Sequence, residues 1–229
     1  MEEKTPRDRI YTLIEEKAFL KQSVYRNTVQ SFNILNEGVK ELYHDLHKKF
    51  HQPDKGVFLE YRKHGEFEVR FKIAGDTIVF MMHTNIFDFE KSHSLYKTSY
   101  ISDDPQRAYC GIINVYNFLS DSFKYNRVND VGYLIARIFI NKDNHFFVEG
   151  KRQLSYLYND FANMEFNKET AIAVLESVIL YCVGFDLLTP PFKDMTEVRV
   201  NEMEEASQNM KVSTGKRLGF KFSSEDDIT

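Results

Sequence analysis

Asp130, Glu149 and Lys151 are the residues of this chain whose types and spacing come closest to a reaction centre. Two carboxylates on neighbouring strands can hold Mg²⁺, and a lysine just beyond the second can assist attack by a metal-bound water on a phosphodiester. Three histidines offer a different chemistry. His44, His47 and His51 recur at intervals that gather them within about 60° on a helix of 3.6 residues per turn. Neutral imidazole is a ligand for Zn²⁺, Cu²⁺ and Ni²⁺. A third cluster is aromatic. Tyr116, Asn117, Phe123, Lys124, Tyr125 and Arg127 set rings beside amides and cations, a combination that can stack a ligand ring and donate to phosphate.

An acidic residue at the start of one strand, with Glu149-Gly150-Lys151 on the next, resembles the arrangement of the PD-(D/E)xK nucleases. The resemblance runs from Asp130 to Lys151. It implies an Mg²⁺-dependent phosphodiesterase with Asp130 and Glu149 as metal ligands and Lys151 beside the attacking water. The residues in between carry a competing prediction. If Lys142-Asp143-Asn144 is a three-residue loop with Asn144 left-handed, then Asn141 faces His145, Ile140 faces Phe146 and Ile138 faces Val148. On the opposite face Phe139 meets Phe147, and Arg137 lies across from Glu149 and satisfies it with a cross-strand ion pair. Asp130 then falls about six residues along the hairpin from that position, or roughly 20 Å at the rise of a strand.

The other clusters have structural readings too. The apolar stripe through Leu35, Val39, Leu42 and Leu46 points about 120° away from the imidazoles. The histidines therefore read as a solvated helix face near a C-terminus, where positive charge is favoured, with a metal site as the alternative. Tyr116 and Phe118 alternate as strand residues do, so core packing followed by a turn competes with a ligand surface there. Ser213-Thr214-Gly215-Lys216-Arg217 lacks the earlier glycine of a phosphate-cradling loop and reads as a basic tail. The chain contains no Gly-x-Ser-x-Gly, no Cys-x-x-Cys and no dinucleotide fingerprint.

The elements that must position these residues begin with a helix. Thr5-Pro6-Arg7-Asp8 supplies an N-cap, a proline at the first helical position and an acid at the positive end of the dipole. Tyr11, Ala18, Tyr25, Phe32, Val39 and Leu46 then recur at a seven-residue interval, with Ile14, Leu35 and Leu42 in the companion seam. Lys21 and Thr28 are the polar members of that seam. An unbroken helix from Pro6 to Phe50 is about 67 Å long, against a radius of gyration near 17 Å for a compact chain of this size. Residues 6–50 are therefore either one long helix that serves as a dimerising handle or a helical hairpin. The polar seam sites favour a break near Gln22–Thr28.

From Gly56 the period changes to two. Strands are predicted over Val57–Arg62, Phe67–Ile73, Thr77–His83, Tyr109–Leu119, Gly132–Asn141 and His145–Lys151, with a weakly periodic connection over Asp88–Arg107. The short turns between most of them call for an antiparallel meander. Helices follow at Leu154–Asn163 and at Lys168–Tyr181, the latter capped by Asn167 and stopped near Gly184. Thr189-Pro190-Pro191 is a break, Asp194–Met210 reads as a polar helix, and 213–229 as a mobile tail. The fold class is α+β: a meander of about six strands, an N-terminal helical extension over 1–52, an α+β domain over 53–212 and C-terminal helices.

Composition narrows the function classes. The 229 residues carry a formal net charge of −4, which gives no bulk attraction to nucleic acid or anionic lipid. The segment MEEKTPRDRIYTLIEEK lacks the apolar core of a signal peptide, and no stretch has the length of a membrane span. The two cysteines, Cys110 and Cys182, sit in apolar settings and read as free thiols of a reducing compartment. The sequence thus predicts a cytoplasmic, non-enzymatic binding module that forms a homo-oligomer through its N-terminal helices and needs no cofactor. A protein or a small molecule is the expected partner, and an aromatic ligand pocket is expected around Tyr116–Arg127. The alternative is the Mg²⁺-dependent phosphodiesterase.

Overall fold

A computed structural model describes residues 5–50, 57–186 and 200. His51, the break at 189–191, the helix expected at 194–210 and the tail from 213 lie outside the described residues.

Thr5 opens the first helix with a reciprocal cap. Its hydroxyl accepts from the Asp8 amide, while the Asp8 carboxylate accepts from the Thr5 amide, and Pro6 occupies the first turn. The helix, α1, runs Pro6–Leu13, passes through a π turn at Ile14–Ala18 and continues over Phe19–Phe50. It is one rod and not a hairpin, so the break expected at Gln22–Thr28 does not occur. Thr28 explains why. Its hydroxyl donates to the Val24 carbonyl at 2.7 Å, so the polar group is satisfied inside the helix. Thr28 itself is fully buried against a glycine of the sheet. What reads as a weak point in the seam is the place of closest approach.

Six strands follow, β1 (Leu59–Lys63), β2 (Glu68–Ile73), β3 (Asp76–Met82), β4 (Gly111–Leu119), β5 (Tyr133–Ile140) and β6 (Phe146–Gly150). They pair in sequence order, each antiparallel to the next. In β2, Val69 and Phe71 point into the core while Glu68, Arg70 and Lys72 lie on the outer face, as alternation requires. The β5–β6 ladder has the register read from the sequence: Arg137 opposite Glu149, Ile138 opposite Val148, Phe139 opposite Phe147 and Ile140 opposite Phe146. Asn144 takes the left-handed conformation at φ 59°.

One face of the sheet is covered by α1 and by the last described long helix, while the other is covered at the β4–β6 end by residues 84–110. The long helix, Lys168–Val183, is capped by Asn167 through a reciprocal bond with Thr170. Phe32, Leu35 and Val39 of α1 and Ala171, Val174, Leu175 and Val178 of that helix close one core with Phe71, Phe80, Val115 and Ile138 of the sheet. The connection 84–110 contains a short helix α2 (Ser99–Asp103) and two 3₁₀ turns. Its Leu95, Ile101, Ala108 and Cys110 form a second core with Ile112, Phe139, Phe147 and Phe161.

Two more short helices lie among the described residues, α3 (Ser120–Lys124) after β4 and α4 (Gln153–Leu157) after β6, so the long helix Lys168–Val183 is α5. α4 is shorter than the helix predicted over Leu154–Asn163. Beyond Leu157 the backbone is committed elsewhere: the Tyr158 carbonyl accepts from Val148 at 2.7 Å, and the Met164 carbonyl from Phe146 at 2.9 Å. These bonds satisfy the free edge of β6, which would otherwise be open to another strand.

Candidate functional site

Glu149 lies on β6 between Arg137 and His93. Arg137 donates through Nη2 to Oε2 of Glu149, and Nε2 of His93 stands 3.8 Å from Oε1. The Leu95 amide donates to His93 Nδ1 at 3.3 Å, so in the neutral ring the proton belongs on Nε2, the atom facing Glu149. Asp130 has other partners. It accepts from the Ser122 hydroxyl at 2.7 Å and stands 3.7 Å from Nη1 of Arg127, in the loop that leads to β5. The side chain of Lys151 is exposed, and its amide bonds to the Ile135 carbonyl. The structure therefore places Glu149 and Asp130 on separate sets of neighbours. Among the described residues no group of three or more His, Cys, Asp or Glu side chains is gathered to hold a metal ion.

The aromatic sextet is divided by the sheet. Tyr116 lies on the outer face, where Phe118 and Phe123 meet edge to face at 5.3 Å and Arg70 covers Phe123 at 4.5 Å. Asn117 points to the helix-covered face, fully buried, and donates to Asp76 Oδ1 at 2.9 Å. Its own Oδ1 has no hydrogen-bond partner. Lys124 and Arg127 stand over the ring of Tyr125 at 4.8 and 5.5 Å in the following turn. Strand alternation alone separates Tyr116 from Asn117, and that signal was present in the sequence. Of the histidines, His44 and His47 both contact Tyr43, at ring separations of 5.3 and 5.4 Å, near the end of α1.

Two concave regions have no counterpart in the sequence reading. The larger, about 880 Å³, runs along a flank of α1 past Tyr25, Val29, Ile34 and Gly38, beside the start of α5. Apart from Lys168, every residue lining it belongs to α1, and one convex helix does not enclose a ligand. The second, about 580 Å³, lies between the start of the 93–100 segment, β6 and residues 155–162. Leu95, Tyr100, Phe147 and Phe161 give it apolar walls, and His93, Glu149 and Asp160 give it polar ones. These groups come from three segments that share no period. Glu149 is the one member that the sequence singled out.

A polar clasp holds one wall of this cleft. The Tyr100 hydroxyl accepts from Asn141 Nδ2 at 2.8 Å and lies 2.9 Å from His145 Nδ1. Burial pushes the phenol up to about 12. Arg107 donates to Asp143 Oδ2 at 2.8 Å and to the Tyr100 carbonyl at 3.0 Å. Lys142 pairs with Asp104, and this bond holds the Asp104 carboxyl below its usual range. These bonds set the position of the connection 84–110 against the β5–β6 turn.

The start of α1 is apolar and exposed. No residue of Pro6–Leu13 or Ile14–Ala18 is buried. Ile10, Leu13 and Ile14 line one shallow groove with Lys17, Ala18 and Lys21. No protein-family model, no curated protein and no solved structure matches this chain.

Proposed function

We propose that this protein is a cytoplasmic binding module whose copies associate through the first turns of α1. The observation that carries the reading is a stripe continuing past the point where the sheet ends. From Val24 onward, through Thr28, Phe32, Leu35 and Val39, it is buried in the protein's own core. Ahead of Lys21, the same three-and-four spacing brings up Ile14, Leu13 and Ile10, which are 46%, 58% and 54% exposed. Burying the exposed half of three such side chains contributes on the order of 1 kcal/mol each.

The natural occupant is the same segment of a second copy, running antiparallel. Arg7-Asp8-Arg9, net basic, precedes the apolar residues, and Glu15-Glu16-Lys17, net acidic, follows them. Two such segments laid head to tail set each basic end beside an acidic one, as in the charge pairing of coiled coils. Both cysteines are free and buried, which suits a reducing compartment. No described helix is long and apolar enough to cross a membrane. Glu149, Asp130, Asp143 and Asp104 each have a cationic neighbour of their own, which favours binding over catalysis.

Light scattering on the full chain tests the reading. The expected mass is that of a dimer, and Ile10→Glu with Ile14→Glu should give a monomer that still melts cooperatively. A monomeric wild type at every concentration, or a dimer indifferent to both substitutions, refutes it.

A further inference from the structure

We infer that the 580 Å³ cleft beside β6 binds a small organic cation that carries an aromatic or apolar group. The inference goes beyond self-association and does not depend on it. The size falls within the roughly 300–1,000 Å³ of small-molecule sites. The apolar wall is rigid: Phe147 stacks on Phe139 at 4.8 Å with an 11° tilt and meets Phe161 edge to face at 4.8 Å. Leu95, Phe147 and Phe161 are each 8% exposed, so the wall is fixed by the second core and not by the ligand.

Charge selects the class of ligand. Neither lysine nor arginine lines the cleft, whereas Glu149 and Asp160 both do. Arg137 grips Glu149 through Oε2, and its guanidinium lies over Phe139 at 5.4 Å rather than in the lining. Oε1 faces His93 Nε2 across 3.8 Å, which is too far for a direct hydrogen bond. An ammonium N–H can use that oxygen while its ring or alkyl group rests against the apolar wall of Leu95, Phe147 and Phe161. An anion entering the same cleft meets two carboxylates. Asp160, whose two oxygens each accept from Asn163 at 3.0 Å, is held in place as the second acid.

Two probes of similar shape and opposite charge decide the matter: 2-phenylethylamine and 3-phenylpropionate, titrated calorimetrically into the full chain at neutral pH. The expected result is saturable binding of the amine with a dissociation constant of about 1 mM or below, a reasonable value for so small a ligand. The carboxylate should bind at least tenfold more weakly. Glu149→Gln should weaken the amine about tenfold or more while the protein still melts cooperatively. Asp160→Asn, remote from the Arg137 pair, should weaken it by a smaller factor. Equal or tighter binding of the carboxylate, no binding of either probe, or amine binding indifferent to both substitutions overturns the proposal.

Discussion

Replacing Gly111 with alanine tests how α1 is seated on the sheet. A Cβ at Gly111 would lie 2.0 Å from the Thr28 hydroxyl oxygen and 2.7 Å from both Cβ and Cγ2 of Thr28. Carbon atoms prefer separations of about 3.5–4.0 Å. Rotating Thr28 about χ1 moves the oxygen and the methyl but leaves Cβ in place, so α1 or β4 must shift by roughly 1 Å. One residue away, Asn27 ties the helix to the Asn141 and Lys142 carbonyls at 3.1 and 2.8 Å, and the shift strains these bonds too. Gly111→Ala should therefore cost about 3 kcal/mol, the upper end for overpacking. In a chain of this size that is about 6–12 °C in melting temperature.

Thr28→Gly removes all three offending atoms. Alone it should cost about 2 kcal/mol, from helix propensity and a lost buried methyl. The double variant should be about 2 kcal/mol more stable than the sum of the single changes, a coupling well above experimental scatter. Urea titration and thermal unfolding, both followed by circular dichroism, measure all four proteins. If Gly111→Ala melts within about 2 °C of wild type, or if the two losses simply add, the close seating of α1 is wrong.

Two further outcomes follow from single residues. Arg152 sits at φ 49° and ψ −122°, a region suited to glycine, so Arg152→Gly should raise stability by about 0.5–1 kcal/mol in urea titrations, and a loss of stability would show that the turn is not strained. The Tyr100 phenol, raised to about 12 against 10 in the unfolded chain, favours its neutral form on folding. Its contribution is complete below pH 10 and is lost as the pH climbs toward 12, whereas Tyr100→Phe should abolish that part of the alkaline decline. An identical alkaline profile in both proteins would remove Tyr100 as its source.

The parts of the fold that were legible were those in which a local rule fixed the answer. The β5–β6 ladder was readable because a three-residue loop with a left-handed Asn144 and two-residue alternation leave few registers, and only one gives Ile138 and Ile140 apolar partners. The continuity of α1 was not readable at Thr28. The seam pattern records polarity, whereas the outcome depended on the absence of a side chain at Gly111, far along the chain. The connection 84–110 looked polar and aperiodic because its short helical turns have no sustained period. A signal for it existed all the same. Alternation put Phe139 and Phe147 together on the outer face of the sheet, and two such rings require a cover. The cleft was the least legible feature. His93, Glu149 and Asp160 acquire a relation only when the second core brings three segments together.

That cover also accounts for the placement of the polar groups. Partly exposed ion pairs such as Arg107–Asp143 and Lys142–Asp104 contribute only about 0–1 kcal/mol each, so they do not hold the connection to the sheet. Burial of Leu95, Ile101, Phe147 and Phe161 does, at about 1.5–3 kcal/mol for each large side chain. The polar bonds instead select one position among several that an apolar contact would permit. Tyr100, fastened at its hydroxyl by Asn141 and His145 and at its carbonyl by Arg107, cannot slide along β6 without breaking all three contacts. The segment that begins at His93 is thereby held at a fixed height above Glu149, and the 3.8 Å between imidazole and carboxylate becomes a property of the fold. The same packed rings that bury this segment also form the apolar wall of the cleft beside Glu149.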